Sequence, residues 1–470
     1  MDVVIFFGIY LGVAFLFTLG SVLAVGGVLH AGTRRVDGFL IYLFPVMLLA
    51  VVVSTLSSGR NLSLPGALVG FGVEMGAGGA AKWLQRAVTL FLLAVSVERL
   101  ANMAFGSRKA DSPRALMVAF ALCWVAVVAL PAAFGTRPSF RHEYVYALVI
   151  GLAALTTTET GAQRAILFAR NALVVFIALG LLLLVIKRDM VLSPYTGSWL
   201  PGFEWRFSGL ASGPNAMGPL SLLCLLSLVS QPFEKRWLNR FAWGAAMVSL
   251  LLTQSKTTWI AAAACFLVLH LVSGSPFLSR WLSTPRYQLA AQVLLALLGL
   301  AVVALIYVAG ANVFRTQFEA LMATQQGTDL VTFTGRDQIW AIAWETFLRS
   351  PWFGYGPEIW DAYFRYQIGL PAAFHAHNQV MNVLAASGVV GTLAFSVYCV
   401  VLVRRIWPRL GAFNGLPAAL GTLLVLRSIS EVPFAFDSFG SETMVQMLLL
   451  MLVAGAKPRT DRARVPAHGQ

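Results

Sequence analysis

Residues 3–29 read VVIFFGIYLGVAFLFTLGSVLAVGGVL, a run without a single charged side chain. About 20 such residues suffice to cross the hydrocarbon of a bilayer as an α-helix. Residues 288–310, QLAAQVLLALLGLAVVALIYVAG, form a second run of the same kind. Lipid offers no partner to a free backbone group, so a span must be a helix or part of a closed barrel. Barrel strands alternate apolar and polar residues, and these runs are continuous, so helices are expected. The first run has no basic leader and no small-residue cleavage site followed by polar sequence, and it reads as a retained span rather than a signal peptide.

The same pattern extends along the chain. Of 470 residues, 58% are hydrophobic and 11% charged, against roughly a quarter charged in soluble domains. Spans are expected near 3–29, 38–56, 86–106, 115–135, 144–159, 165–187, 214–230, 240–254, 257–273, 288–310, 379–403, 414–432 and 441–455. The expected fold is an all-α integral membrane protein, a polytopic helical bundle of about 12–13 spans. Residues 61–81 are Gly-rich and amphipathic, suited to a re-entrant or surface piece. The chain divides into N-terminal helices (1–187), central helices with basic outer loops (188–310), a long hydrophilic loop (311–376), C-terminal helices (377–455) and a tail (456–470). Within the long loop, 334–349 has helical periodicity, with Ile339, Trp340, Ala343, Trp344 and Phe347 on one face. Cys123, Cys224, Cys265 and Cys399 are dispersed in apolar runs without a C-x-x-C pair, which argues against a disulfide framework or a metal knot.

The net charge of +14 reads as basic cytoplasmic loops rather than nucleic-acid binding. One set of alternate loops carries Arg34, Arg35, Arg108, Lys109, Lys235, Arg236, Arg404, Arg405 and Arg409, and is assigned to the cytoplasm. The other side holds the loops 188–213 and 311–376 and the turn 253–258. Arg60, Arg137, Arg141 and Arg188 also fall there, as do Arg206, Lys256 and Arg336. Cations on the outer face oppose the insertion bias, and an anionic ligand is the simple reason to keep them. Glu98–Arg99, Arg170 and the pair Arg427/Glu431 lie in or near spans. The i, i+4 spacing of Arg427 and Glu431 suits mutual neutralisation.

The most specific local pattern is His377-Asn378, nine residues, Gly388, two residues, Gly391. On a helix these positions fall near one stripe, with the glycines admitting a close neighbour and the imidazole at the outer mouth. A neutral imidazole there is a general base for a hydroxyl. The alternative is that His377 caps the following helix. His375 reads as a solvated neighbour, Arg206 between Trp205 and Phe207 also suits an interfacial anchor, and Asn215 after Pro214 also suits a helix start. Lys256 in its short turn also suits snorkelling, and Arg336 also suits an ion pair with Asp337.

This stretch resembles the signature of the bacterial O-antigen ligase and polymerase superfamily. Further segments are similar to it and occur in the same order: Arg206-Phe-Ser-Gly-Leu with Gly213-Pro-Asn215, Thr253-Gln-Ser-Lys256-Thr, Thr334-Gly-Arg336, and Pro351-Trp-Phe-Gly354-Tyr-Gly356. They span roughly residues 200–391. Lys256 stands where the ligase branch often has Arg, which keeps the charge but not the bidentate fork. The resemblance implies a C-type glycosyltransferase-like bundle in the bacterial inner membrane with its site facing the periplasm. It implies transfer of a glycan from undecaprenyl pyrophosphate to an acceptor glycan hydroxyl. His377 would be the base, Arg206, Lys256 and Arg336 the pyrophosphate ligands, and Asn378, Asn215, Gly388 and Gly391 supporting residues.

No Asp-x-Asp or His-x-x-x-His spacing is present, so neither a metal nor another cofactor is expected. A polysaccharide polymerase is the leading reading, an O-antigen ligase acting on lipid A–core its alternative, and a lipid-linked glycan flippase the rival from another class. The expected partners are the lipid-linked oligosaccharide, the acceptor glycan, membrane lipids and a chain-length regulator, with no nucleic acid. The charge reading predicts that a single Cys at Gln325 is labelled by an impermeant reagent in intact spheroplasts and one at Ser283 is not. The reverse pattern would move the site to the cytoplasm.

Overall fold

The computed structural model describes residues 40–63, 79–105, 113–195, 198, 203–274, 336–371 and 373–457. The expected spans 3–29 and 288–310, most of 61–81 and the loop 311–335 lie outside the described residues.

The described chain is mostly helical, and its helices fall where apolar runs predict them. They are α1 (Leu43–Ser57), α2 (Gly79–Phe105), α3 (Arg114–Phe134), α4 (Tyr144–Ala154), α5 (Glu159–Ile186), α6 (Pro214–Ser230), α7 (Arg236–Leu252) and α8 (Lys256–Gly274). After the long loop come α9 (Arg336–Arg349), α10 (Ala362–Gln367), α11 (Gln379–Ile406), α12 (Leu416–Ser430) and α13 (Met444–Gly455). Among the described residues, five segments are long and apolar enough to cross a membrane: Leu40–Ser57, Arg114–Phe134, Glu159–Ile186, Gln379–Arg409 and Ala412–Ser430. Four shorter apolar helices accompany them. Exposed Leu393, Val397 and Val400 on α11, and Val425 and Ile429 on α12, are the outward stripes a lipid solvent permits. The chain is a helical membrane protein.

The centre of the bundle is α6, whose residues 216–228 are all buried. A helix apolar all round must be surrounded, and α5, α7, α8, α12 and α13 pack about it. Gly218 permits the closest approach, since a Cβ there would stand 2.9 Å from Thr258 Oγ1 of α8. Ser221 and Ser249 join hydroxyls at 2.8 Å between α6 and α7, so neither is left unsatisfied in the core. The expectation of an all-helical chain is modified in one place. Leu192–Pro194 (β1) and Trp205–Phe207 (β2) pair antiparallel, with Arg206 opposite Ser193.

Helix α11 is interrupted at Gly388, with φ 62° and ψ −160°. The break frees backbone groups, and the segment 351–356 takes them up. Tyr355 and Gly356 donate their N–H groups to the carbonyls of Ala385 and Ala386 at 2.9 and 3.0 Å, while Val389 and Val390 donate to Pro351 and Trp352 at 2.8 and 3.3 Å. Gly388 therefore faces a loop, not the neighbouring helix that its sequence spacing suggested. A Cβ on Gly388 would lie 2.5 Å from Pro351 O, and one on Gly354 would lie 2.4 Å from the Ala386 carbonyl carbon. Gly391 does meet a helix, since its Cβ position lies 3.1 Å from Ala126 O of α3. The amphipathic segment beginning near 334 is α9. Its Ala343 is fully buried in a small cluster with Ile359, Phe364, Ala385 and Ala386, while Trp344, placed on the inner face by periodicity, is 48% exposed.

Gly388→Ala is expected to destabilise the protein by roughly 2–5 kcal/mol, combining a left-handed backbone with a steric overlap. Gly391→Ala should cost less, because its tightest neighbour is the movable Ser387 side chain. Thermal denaturation of the purified variants checks this, and equal melting temperatures for Gly388→Ala and wild type would refute it.

Candidate active site

The residues singled out by sequence converge at one end of the bundle, at the start of α6, α8, α9 and α11 and the end of α12. Their meeting point is Glu431, the residue that ends α12. Its side chain is 5% exposed, so its charge requires partners. Oε1 accepts from Asn215 Nδ2 at 2.8 Å and Arg336 Nη2 at 3.2 Å. Oε2 lies 3.2 Å from His377 Nδ1 and 3.4 Å from His375 Nε2. Arg427 acts on Glu431 through its charge but makes no direct ion pair with it. Arg427 instead donates to the carbonyl of Asn215 at 3.0 Å.

The cationic residues reach the hub by separate routes. Arg206, on β2, donates through Nη2 to Asn215 Oδ1 at 2.7 Å and through Nε to Thr253 O at 2.9 Å, and stacks over Tyr195 at 4.9 Å. Asn215 is thus a bridge between Arg206 and Glu431, beyond its place in the first turn of α6. Arg206 is half-buried between exposed Trp205 and fully buried Phe207, and its guanidinium is held by these internal partners rather than left at an interface. Burial lowers its pKa from a value so high that the guanidinium stays charged. Lys256 opens α8 immediately after the turn whose Thr253 carbonyl holds Arg206. In that turn Gln254 has φ 48° and donates to Trp205 O at 2.7 Å. Arg336 opens α9 and donates to Ser430 O at 2.8 Å as well as to Glu431.

His377 is not the first residue of a helix, and the helical stripe joining it to Gly388 and Gly391 does not form. Asn378 is the N-cap of α11, its Oδ1 accepting from Met381 N–H at 3.0 Å while Nδ2 donates to Ile429 O at 3.1 Å. The cap role weighed for His377 therefore belongs to Asn378. His377 itself has φ 49°, a left-handed backbone that is uncommon for a residue other than Gly or Asn. Such conformations persist where surrounding contacts over-determine them. Here Trp340 Nε1 donates to Ala376 O at 2.8 Å, Ala376 N–H to Asn382 Oδ1 at 3.1 Å, and His377 N–H to His375 Nδ1 at 3.1 Å.

These contacts fix tautomers. A carboxylate only accepts, so His377 carries its proton on Nδ1, toward Glu431, and Nε2 keeps the lone pair. His375 accepts at Nδ1, so its proton is on Nε2, also toward Glu431. His375 is therefore a built part of the site rather than a solvated neighbour. Burial, with the nearby His377, holds its pKa down at about 4 against the opposing pull of Glu431. Burial would raise the Glu431 carboxyl, but the hydrogen bond from His377 and the surrounding positive charge keep it ionised, well below the usual range.

The ligand atoms of His375, His377 and Glu431 lie within 4.8 Å of one another, a grouping of the kind that holds a metal. Its chemistry does not suit one. A metal on His375 Nε2 would force the proton onto Nδ1, against the His377 N–H that Nδ1 accepts. Glu431 also already answers Arg336, with Arg206 and Arg427 one residue away through Asn215.

The outer-face cations that strain the topology rule divide in two. Arg137 pairs with Asp361 at 2.9 Å and Arg141 with Glu358 at 2.5 Å. Arg60 donates to the carbonyls of Met190, Gly209 and Ala211 at 2.9, 2.5 and 2.6 Å, tying the end of α1 to the loop that carries Arg206. These three have internal partners that explain them. Arg336 instead reaches Glu431 directly and Arg206 reaches it through Asn215, while Lys256 opens α8 next to the turn that holds Arg206.

A membrane helix bundle that gathers an oriented imidazole, a buried carboxylate and several cations at one end has the makings of a membrane-embedded transferase of anionic substrates. Residues 241–396 match the sequence model of the O-antigen ligase family, which supports the resemblance to the O-antigen ligase and polymerase superfamily. The matched range holds Lys256, Arg336, His377, Gly388 and Gly391, while Arg206 and Glu431 lie outside it. No curated protein matches the chain. Sequence reasoning missed Glu431 as the hub. The signal available was a carboxylate at a span end, which is a functional hypothesis by default, masked by Arg427 four residues before it.

The acid response of the fold follows from His375. Between about 6.5, its ordinary pKa, and about 4, its value in the fold, the unfolded chain binds a proton that the native state refuses. Stability therefore falls as pH falls through this window. In purified protein, the loss of melting temperature from pH 7 to pH 4 should be smaller for His375→Asn than for wild type. Identical slopes would show that His375 is not held neutral.

Proposed function

We propose that this protein is a glycosyltransferase that moves a glycan from a polyprenyl diphosphate to an acceptor hydroxyl in one inverting displacement, and that it works as a polysaccharide polymerase. The observation that carries the proposal is the Glu431–His377 pair at 3.2 Å, which leaves the His377 Nε2 lone pair free, with Arg336 on the same carboxylate and Arg206 linked to it through Asn215. The acceptor hydroxyl gives its proton to Nε2 as its oxygen bonds to the anomeric carbon. The bond from that carbon to the diphosphate oxygen breaks, and the electron pair leaves with the diphosphate. Glu431 stays ionised throughout. It fixes the ring and stabilises the imidazolium, as an orienting carboxylate does. The guanidiniums and the ammonium take up the charge that develops on the leaving group.

With that much fixed positive charge at the leaving group, no divalent ion is required, and the mechanism is proposed as metal-free. The undecaprenyl carrier is the donor implied by resemblance to the family. The end of the bundle opposite the site holds Lys235, Arg236, Arg404 and Arg405, so the site is assigned to the periplasmic face of the inner membrane. A ligase reading is also supported, because the matched family is described as O-antigen ligase. It differs only in the acceptor. A flippase would place its polar residues near mid-membrane between repeats, whereas these cluster at one end.

The test uses purified protein with a lipid-diphosphate donor in the presence of EDTA. Wild type should transfer, and Glu431→Gln should lose roughly 10²–10⁴ in rate, the scale of general-base catalysis. Arg206→Ala should lose most activity. His377→Asn keeps a side chain that tolerates the left-handed backbone but offers no base, so it should bind donor and not turn over. An active His377→Asn enzyme would sink the general-base proposal, and loss of wild-type activity in EDTA restored by a divalent ion would sink the metal-free one.

A further inference from the structure

On the other side of His375 from the arginines lies a cavity of about 1000 Å³. This is at the upper end of the ~300–1,000 Å³ usual for small-molecule sites. It is walled by α1, α2 and α4, by 357–361, and by the segments on either side of the catalytic cluster, 374–383 and 432–443. His375 and Gln379 form its boundary with the site. Gln379 grips the backbone of Phe434 with both side-chain ends, at 3.0 and 2.9 Å, so this wall is fixed relative to Glu431.

The lining differs in charge from the site beside it. Among the described residues, none of Arg206, Lys256 and Arg336 lines the cavity. Five carboxylates do: Glu143, Glu358, Asp361, Asp437 and Glu442. The two lining guanidiniums are Arg60 and Arg141, the first tied to three backbone carbonyls and the second paired with Glu358. Glu358 and Asp361 are paired with Arg141 and Arg137, so the excess of negative charge rests on Glu143, Asp437 and Glu442 against Arg60, and Tyr144, Tyr146, Trp360 and Phe374 add aromatic rings. Rings against apolar sugar faces and carboxylates or amides against hydroxyls are the chemistry that holds uncharged carbohydrate, and fixed carboxylates repel an anion.

An inverting displacement brings the nucleophile to the face opposite the leaving group. Arg206 and Arg336 approach Glu431 through Oε1, and the cavity meets the cluster through His375 on Oε2. On the reading that His377 is the general base, we propose that this cavity receives the end of the acceptor chain and selects an uncharged terminal sugar against a uronate.

The probes are neutral-hexose tetrasaccharides of the gluco and manno series, and the same chains ending in the corresponding uronic acid. Their binding is measured on full-length His377→Ala protein in detergent, and transfer to them on wild type with a lipid-diphosphate donor. A neutral chain should bind at least about tenfold more tightly than its uronate. Asp437→Asn with Glu442→Gln should shrink that preference and leave the donor KM unchanged. Asp437→Asn alone, nearly isosteric, gives the same direction if the double variant folds poorly. Equal affinity for both ends, no binding of any neutral chain, or variants that shift the donor KM in place of the acceptor's would overturn the proposal. Selective binding without transfer by wild type would leave the cavity standing and remove the transferase reading.

Discussion

A buried carboxylate cannot stand alone, and most of the site can be understood as the answer to Glu431. Four donors meet it, from Asn215, Arg336, His375 and His377, and they come from three separate parts of the chain. Satisfying one charge therefore fixes the starts of α6 and α9 and the loop before α11 against the end of α12. The same demand sustains the left-handed backbone at His377, because the contacts that hold its ring and its N–H leave it no other conformation. Burying an ion is favourable only when its hydrogen bonds are complete. Here completeness also orients the His377 imidazole.

Around this hub the chemistry is divided by charge. Guanidiniums gather on the Oε1 side, where a diphosphate would lose its ester bond. The cavity on the Oε2 side is acidic and aromatic. Glu431 and the two imidazoles sit between, the arrangement that the proposed displacement uses. The broken helix α11 serves the same arrangement. Gly388 lets 351–356 dock into the helix by backbone hydrogen bonds, and that packing holds α9, and with it Arg336 and Trp340, over the loop of His377.

Other outer-face cations show how a rule of insertion and a rule of packing coexist. Arg60, Arg137 and Arg141 oppose the charge bias, yet each is consumed by carbonyls or carboxylates within the fold. Arg60 is the most consequential, because its three carbonyl acceptors belong to the segment that presents Arg206. Its desolvation lowers its pKa to about 10, so it remains a cation at neutral pH.

The sequence alone determined the apolar helices and singled out His377, Arg206, Lys256, Arg336 and Asn215 as candidates, all of which the fold brings to one end of the described bundle. Those features are local: apolar runs set helices, loop charge sets sidedness, and a short motif carries its own spacing. Only the tertiary structure decided what each residue does. Arg427 and Glu431 are one helical turn apart and look self-neutralising, yet helix packing turns Glu431 toward residues 54 to 216 positions away. His377 looks helical by periodicity, but the cap falls on Asn378 and leaves His377 in a left-handed turn. Gly388 looks like a helix–helix contact and is a break filled by a distant loop. In each case the deciding partner is far along the chain, where neither periodicity nor spacing carries information, and the need to satisfy buried polar groups selects it.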